Sequence, residues 1–267
     1  MAAEIPGSQV VRRVGAILRS VGAGEPHGVS TAEVARGTGL TRPTAHRLLR
    51  SLAAEGLLDQ GADRTRWHLG PESYLLGRVA HTRFDVVDAA RESVQALADA
   101  TGESAFFSMR RGAETVCLLR EEGSFPVRSF VLSEGVRFPL GVASAGLVIL
   151  AFESDGFIDD YLASAALSAE WGATHTPERI RERIAETREA GYAVNSGLVV
   201  EGSWGMGAAV FDDAGAPRWA LSLTGIEARF RAERQPELGR LLVEHAHQVS
   251  QRLSAAERPP VSATRRG

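Results

Sequence analysis

The chain has no lysine: all 30 of its lysine-plus-arginine positions are arginine. Cysteine is nearly as scarce, with Cys117 alone. One cysteine excludes a disulfide framework within the chain and leaves no thiolate set for a structural metal. Within the apolar stretch Val116–Leu119 it reads as a small buried residue. Long apolar runs are missing too. The longest, Leu140 to Phe152, is interrupted by Gly141, Ser144 and Gly146, whereas a bilayer span needs ~20 apolar residues. The opening Met1-Ala2-Ala3-Glu4 carries no basic region followed by an apolar run, so no secretory signal is expected. These absences predict a soluble, cytoplasmic protein with no membrane partner. The seven histidines are scattered, and His245 and His247, two apart on a helix, point away from each other. No G-x-S-x-G nucleophile motif is present. No catalytic residue, metal site or cofactor is therefore expected.

What is present divides unevenly along the 267 residues. That length has room for one small and one larger domain. Residues 1–70 hold nine arginines (12, 13, 19, 36, 42, 47, 50, 64 and 66) against six acidic residues. The other 21 arginines share the rest of the chain with 27 acidic residues. A basic head on an acidic body fits a nucleic-acid-binding head.

The head carries sharper signals. Val10, Val14, Ile17 and Val21 recur at helical spacing and predict a first helix with one buried face, ended by Gly22-Ala23-Gly24. Ser30-Thr31-Ala32-Glu33 is a capping box, with Val29 and Val34 at the staple positions. It opens a short helix that stops near Gly37, and Thr38-Gly39-Leu40 makes the turn. Thr41 caps a third helix with Pro43 in its first turn. Ala45, Leu48, Leu49 and Leu52 form the buried face of that helix. Arg42, Thr44, His46, Arg47, Arg50 and Ser51 remain outside, and each is a hydrogen-bond donor. Helix, glycine turn, helix is a DNA-reading unit, and the start of its second helix meets base edges in the major groove. Leu57-Leu58-Asp59, a turn at Gly61-Ala62-Asp63 and Arg66-Trp67-His68-Leu69 predict a hairpin wing. Arg64 and Arg66 are placed on it to meet phosphates. The expected DNA-contacting set is Thr41, Arg42, Pro43, Thr44, His46, Arg47, Arg50, Arg64 and Arg66, and the expected partner is double-stranded operator DNA.

Pro71 opens a linker helix through Tyr74, Leu75, Leu76 and Val79, placing a domain boundary across residues 71–83. A second helical stretch follows through Val86, Val87, Ala90, Val94 and Leu97. Strands are predicted at Ser104–Met109, Glu114–Leu119, Arg128–Leu132, Met206–Phe211 and Trp219–Thr224. Helices are predicted at about Ser144–Phe152, Glu178–Ala190 and Pro236–Leu253. Residues 256–267 read as a disordered tail. The fold class expected is α+β, with a winged helix-turn-helix (1–70), a linker helix (71–83) and an α/β domain (84–255). Strands backed by helices can enclose a small molecule. The free amides and dipole of the helix starting near Ser144 favour an anion, and Gly146 would let a ligand approach the backbone.

Read in order, these segments resemble the IclR family of transcription regulators over nearly the whole chain. The resemblance rests on Val29–Ala35, Thr38–Leu49 and Trp67-His68-Leu69-Gly70 in the head. In the body it rests on Thr101-Gly102-Glu103-Ser104, Gly135–Leu140, Ala190-Gly191-Tyr192-Ala193 and Ala208–Asp212. It implies a GAF-like α/β effector domain, dimerisation through the heads with dimers often pairing into tetramers, and no catalysis. By position it implies an effector site of Ser144, Ala145, Gly146, Asn195, Gly205, Ser222 and Thr224. Ser222 and Thr224 alternate along one strand and face one side. The chain departs from the family pattern at Leu147, where Lys is frequent, at Asn195, where an acidic residue is common, and at Gly205, where Cys is common. It departs again at Ala209, where Pro is common. A small keto acid is therefore not implied, and the expected effector is a small organic or aromatic acid. Trp204 reads as core or interface packing, with an aromatic effector contact as the alternative. The rival functions are an effector-blind DNA-binding regulator and a ligand-processing enzyme.

Overall fold

The computed structural model describes residues 8–81 and 86–257. The chain divides into two compact units at Asp85–Val86.

The first unit is built from α1 (Gln9–Gly22), β1 (Val29–Ser30), α2 (Thr31–Thr38), α3 (Arg42–Ala54), β2 (Leu58–Gln60), β3 (Arg66–Leu69) and α4 (Pro71–His81). Ile17 and Val21 of α1, Val34 of α2, Ala45, Leu49 and Leu52 of α3, Leu58 and Trp67 form one apolar core. The capping box forms as read: Ser30 Oγ accepts from the Glu33 amide, and Glu33 Oε2 accepts from the Ser30 amide at 2.7 Å. That reciprocal pair satisfies two donors that a helix start otherwise leaves open. The helix runs one residue further than Gly37, to Thr38, and Gly39 closes it in the left-handed conformation at φ 65°, where glycine carries no Cβ penalty. The wing is a three-stranded antiparallel sheet in the order β1-β3-β2. The two-residue strand β1 pairs Val29 with Trp67 and Ser30 with Arg66.

Two details of this unit differ from expectation. Val10 is exposed rather than buried, because the buried stripe of α1 reaches full depth only at Ile17 and Val21. Thr41 occupies the cap position of α3 but its hydroxyl donates to Thr44 Oγ1 at 3.0 Å, so no cap bond to the helix amides forms.

The second unit holds α5 (Val86–Thr101), β4 (Ser104–Arg111), β5 (Glu114–Glu121), β6 (Arg137–Pro139), α6 (Ser144–Ala151), α7 (Asp155–Ser164), α8 (Leu167–Trp171), α9 (Pro177–Ala190), β7 (Ala193–Ser196), β8 (Ser203–Phe211), β9 (Pro217–Ile226) and α10 (Gln235–Glu257). Its six strands form one antiparallel sheet in the order β6-β5-β4-β9-β8-β7. Alternation along each strand sends side chains to two faces. On one face Phe107, Leu221 and Leu223 pack against α5 and α10; on the other Phe106, Ala209 and Ala220 pack under α6. All eight residues of α6 are buried, so it is a core helix rather than an amphipathic one.

The expected strand at Arg128–Leu132 is absent: this stretch is irregular, and the edge strand is Arg137–Pro139 instead. Ser129 Oγ is hydrogen-bonded to Ser203 Oγ at 2.5 Å, and the segment's backbone is held at Phe125 N to Gly102 O and Gly135 N to Cys117 O. These ties make a strap across the sheet rather than a strand within it. The last helix extends to Glu257, two residues into the expected tail, and residues 258–267, like 82 and 83 of the expected linker, lie outside the described residues.

Candidate nucleic-acid interface and ligand pocket

The outer face of α3 begins at its N-terminus. Arg42, Pro43, His46, Arg47 and Arg50 are exposed, and Thr44 is half-buried through its bond to Thr41. Ala45, Leu49 and Leu52 on the opposite face bury the helix in the core, which fixes the donor face outward. None of Arg42, Arg47 and Arg50 has an acidic partner among the described residues. Thr31, Arg42, Pro43 and His46 line a shallow hollow where α2 meets α3.

The two wing arginines differ. Arg64 stands exposed at the hairpin tip with φ 56°, an unusual conformation for a residue with a side chain. The tip is held by Gln60 Nε2 donating to Arg64 O at 2.8 Å and by Asp63 accepting from the Thr65 amide. Arg66 is instead drawn inward: its Nη1 donates to Gly28 O at 2.8 Å and lies 3.9 Å from Glu33 Oε2. It braces the wing against the start of α2. Glu25 makes a second brace, accepting from the Leu69 amide at 2.8 Å and pairing with His68 Nδ1 at 3.0 Å. Burial alone would raise the Glu25 carboxyl, but the His68 and Leu69 hydrogen bonds outweigh it and hold the group below its ordinary value.

In the second unit a pocket opens between the sheet and the start of α6. Ser144, Ala145, Asn195, Gly205, Ser222 and Thr224 all line it. The space that no protein atom fills there is about 460 Å³, its open mouth included. The cap position of α6 is Ala143, which offers no side-chain acceptor to the first amides of the helix. The hydroxyls of Ser222 and Thr224 are buried without a hydrogen-bond partner. Glycine at 205 keeps the floor open, because a Cβ there would stand 3.1 Å from Ser144 Oγ.

Two of the expected residues serve the frame. Gly146 does not line the pocket; it faces Pro139 O and the Leu140 backbone, where a Cβ would come within 3.1–3.2 Å, so the glycine permits close packing. Asn195 lines the pocket while spending its amide on the backbone. Its Nδ2 donates to Val142 O at 2.7 Å and its Oδ1 accepts from the Leu198 amide at 3.1 Å. It thereby ties β7 to the loop that leads into α6.

Of the remaining walls the sequence points to Trp204 alone, as the alternative to core packing. Ser108 and Thr115 come from β4 and β5, Val131 and Leu132 from the strap, Val199 from the segment between β7 and β8, and Ser203 and Trp204 from the start of β8. Trp204 borders the pocket and also packs, partly buried, against the core beneath α5 and α10. Cys117 is buried on the α6 face of the sheet, and burial pushes its thiol up to about 12, which removes the thiolate at neutral pH. Among the described residues no group of three or more His, Cys, Asp or Glu is placed to hold a metal ion, and no helix is long and apolar enough to cross a membrane.

Comparison with known proteins agrees with both halves. Residues 10–62 match the IclR helix-turn-helix domain, and residues 79–251 match the bacterial transcriptional regulator IclR C-terminal domain. The HTH-type transcriptional regulator BhcR of Paracoccus denitrificans is 27% identical over 224 residues, covering 84% of this chain and 80% of the relative. The crystal structure of the Thermotoga maritima IclR superimposes with a TM-score of 0.71 at 25% identity, covering 91% of this chain and 98% of the other. An IclR homologue from Microbacterium hydrocarbonoxydans, solved in complex with 4-hydroxybenzoate, shares the fold with a TM-score of 0.74 at 21% identity, covering 92% and 99%. A helix-turn-helix head joined to a pocket-bearing α/β body, each matching its counterpart, makes this chain a member of the IclR family of bacterial transcriptional regulators.

Proposed function

We propose that the protein binds a near-palindromic operator as a dimer or a dimer of dimers, and that a small organic or aromatic acid in the second unit changes that affinity. The observation that carries the reading is the outer face of α3: exposed arginines and a histidine, on a helix anchored by its other face, with no carboxylate among the described residues neutralising the arginines. Such a face is suited to base edges in the major groove, where Arg bonds guanine bidentately. Arg42, His46, Arg47 and Arg50 are assigned to the groove, with Thr41, Pro43 and Thr44 shaping its approach. Arg64 is assigned to phosphate at the wing tip, while Arg66 mainly braces the wing.

Dimerisation is supported by α4. Tyr74, Leu75 and Leu76 are 65%, 53% and 55% exposed, and the first turn of α1 adds exposed Val10 and Val11. Large apolar side chains exposed together mark a surface that another protein covers. The effector reading is supported by the pocket's unpartnered hydroxyls and by the uncapped start of α6, which suit an anion. The 4-hydroxybenzoate of the Microbacterium homologue belongs to that protein and supports the chemical class alone. Assignment as a regulator without catalysis, acting in the cytoplasm, rests on family membership.

The deciding experiment titrates the protein against its own promoter region and repeats the titration with Arg47→Ala. Selective binding weakened by ~1–3 kcal/mol in the variant establishes base readout by α3. No selective binding by the unaltered protein at moderate salt, with or without candidate acids, overturns the reading.

A further inference from the structure

The chemistry of the pocket wall specifies its ligand further, on the reading that this pocket is the effector site. Its lining consists of serine, threonine, asparagine, glycine, alanine, valine, leucine, phenylalanine and tryptophan, with no ionisable side chain. An anion entering it meets no arginine, although the chain has 30. Among these lining residues the positive potential comes from the start of α6, equivalent to roughly half an elementary charge. Beside it stands Ser222 Oγ, on a residue 1% exposed and without a partner. That end can hold one carboxylate by N–H and O–H donors and has nothing with which to neutralise a second.

The polar groups are also spread along a line. Gly205 on β8 pairs with Thr224 on β9, Ser222 on β9 stands opposite Phe106 on β4, and β4 pairs in turn with β5, which carries Thr115. Neighbouring strands lie ~4.8 Å apart, so the floor from β8 to β5 spans ~14 Å. Its far end carries hydroxyls: Ser108, 1% exposed and beside the Cys117 thiol, and Thr115, whose Oγ1 reaches Phe138 O at only 3.4 Å. Phe138, Leu132, Val131 and Trp204 also line the pocket, apolar surface suited to a flat ring.

We propose that the pocket selects an elongated ligand bearing one negative charge at most, its anionic end at the start of α6 and an uncharged hydrogen-bonding group at the Ser108–Thr115 end. A second carboxylate at the far end would be buried with hydroxyls alone, and a buried charge without a countercharge is strongly disfavoured. An uncharged hydroxyl there gains a partner that an unsubstituted ring cannot use.

The test is calorimetric titration of the full-length protein, at fixed ionic strength, with 4-hydroxybenzoate, benzoate, terephthalate and pyruvate. Terephthalate matches the length of 4-hydroxybenzoate and adds the second charge. 4-Hydroxybenzoate is expected to bind at least tenfold more tightly than terephthalate and several-fold more tightly than benzoate. Ser108→Ala is expected to abolish the preference over benzoate while benzoate affinity holds. Thr115→Val gives an independent reading of the same end, and the melting temperature of each ligand-free variant reports its folding. Terephthalate binding as tightly as 4-hydroxybenzoate overturns the charge rule, and a preference that survives both variants overturns the assignment of the far end. Binding of pyruvate alone overturns the elongated shape and leaves the effector site standing; binding of none of the four overturns the ligand class and the effector reading together.

Discussion

The indole N–H of Trp67 donates to Thr31 Oγ1 at 3.0 Å. This bond joins the middle of the wing to the first turn of α2 inside the core of the first unit. Thr31→Val keeps the shape and removes the acceptor, leaving a buried donor unpaired, which costs ~1–3 kcal/mol. Urea unfolding followed by tryptophan fluorescence should show the first unit melting earlier, with weaker operator binding at temperatures where it has begun to open.

Arg64 and Arg66 should separate under salt. Each phosphate contact adds about 0.9 to the slope of log affinity against log salt on duplex DNA. Arg64→Ala is expected to lower that slope by about 1 and to weaken all sequences alike. Arg66→Ala should instead lower the thermal stability of the first unit, because it frees Gly28 O and loosens the wing. Equal changes of slope in both variants would mean that Arg66 also reaches phosphate.

If α4 is a pairing surface, charge placed on it should prevent pairing. Leu75→Glu combined with Leu76→Glu is expected to shift the protein toward monomer in light scattering and to weaken operator binding. The melting temperature of the second unit should not move. An unchanged molar mass would send the search for the interface elsewhere.

Acid should destabilise the second unit through a buried histidine. His175 is fully buried and its Nδ1 is bonded to Trp171 O at 3.0 Å. Burial, more than any other influence, lowers its pKa below the ordinary 6.5, and the nearby Arg183 adds to the effect. The unfolded chain therefore binds the proton more readily than the folded one. The contribution to stability is complete above about pH 6.5 and is lost as pH falls through the lower folded value. Melting curves between pH 5 and 8 should show this slope, and His175→Gln should flatten it.

Filling the floor should silence the ligand response without touching the head. Gly205→Leu places a side chain where even a Cβ meets Ser144 Oγ at 3.1 Å. The variant is expected to bind operator normally and to lose any ligand-induced change in melting temperature or DNA affinity. A retained response would show that the effector sits outside this pocket.

The head was legible because its signals are local. A capping box, a glycine turn and a proline at a helix start each work within four residues, and α2 and α3 formed where those signals stood. The two-residue β1 carries no such signal, since only its pairing with Trp67 and Arg66 makes it a strand. The body was legible where hydrophobic alternation ran long, as in β8 and β9, and failed at the strap. There Val131 and Leu132 resemble a strand in sequence, but Ser129 is held by Ser203, more than seventy residues away. The pocket was half visible for the same reason. Ser144 follows from a helix start, and Ser222 and Thr224 from position within the family pattern, whereas Ser108 and Thr115 enter by strand order, which no short window contains. Gly146 shows the converse: a glycine read as room for a ligand is room for the backbone of Leu140.

The complete burial of α6 has a consequence for how this receptor can change over generations. A helix with no solvent-facing position has no residue that drifts freely, since each must keep its volume to fit the core. The pocket wall formed by the start of α6 is therefore the part least able to vary. The strap and the segment before β8, which contribute Val131, Leu132 and Val199, are irregular chain and tolerate replacement better. New ligand preferences should arise there, around an unchanging helix start.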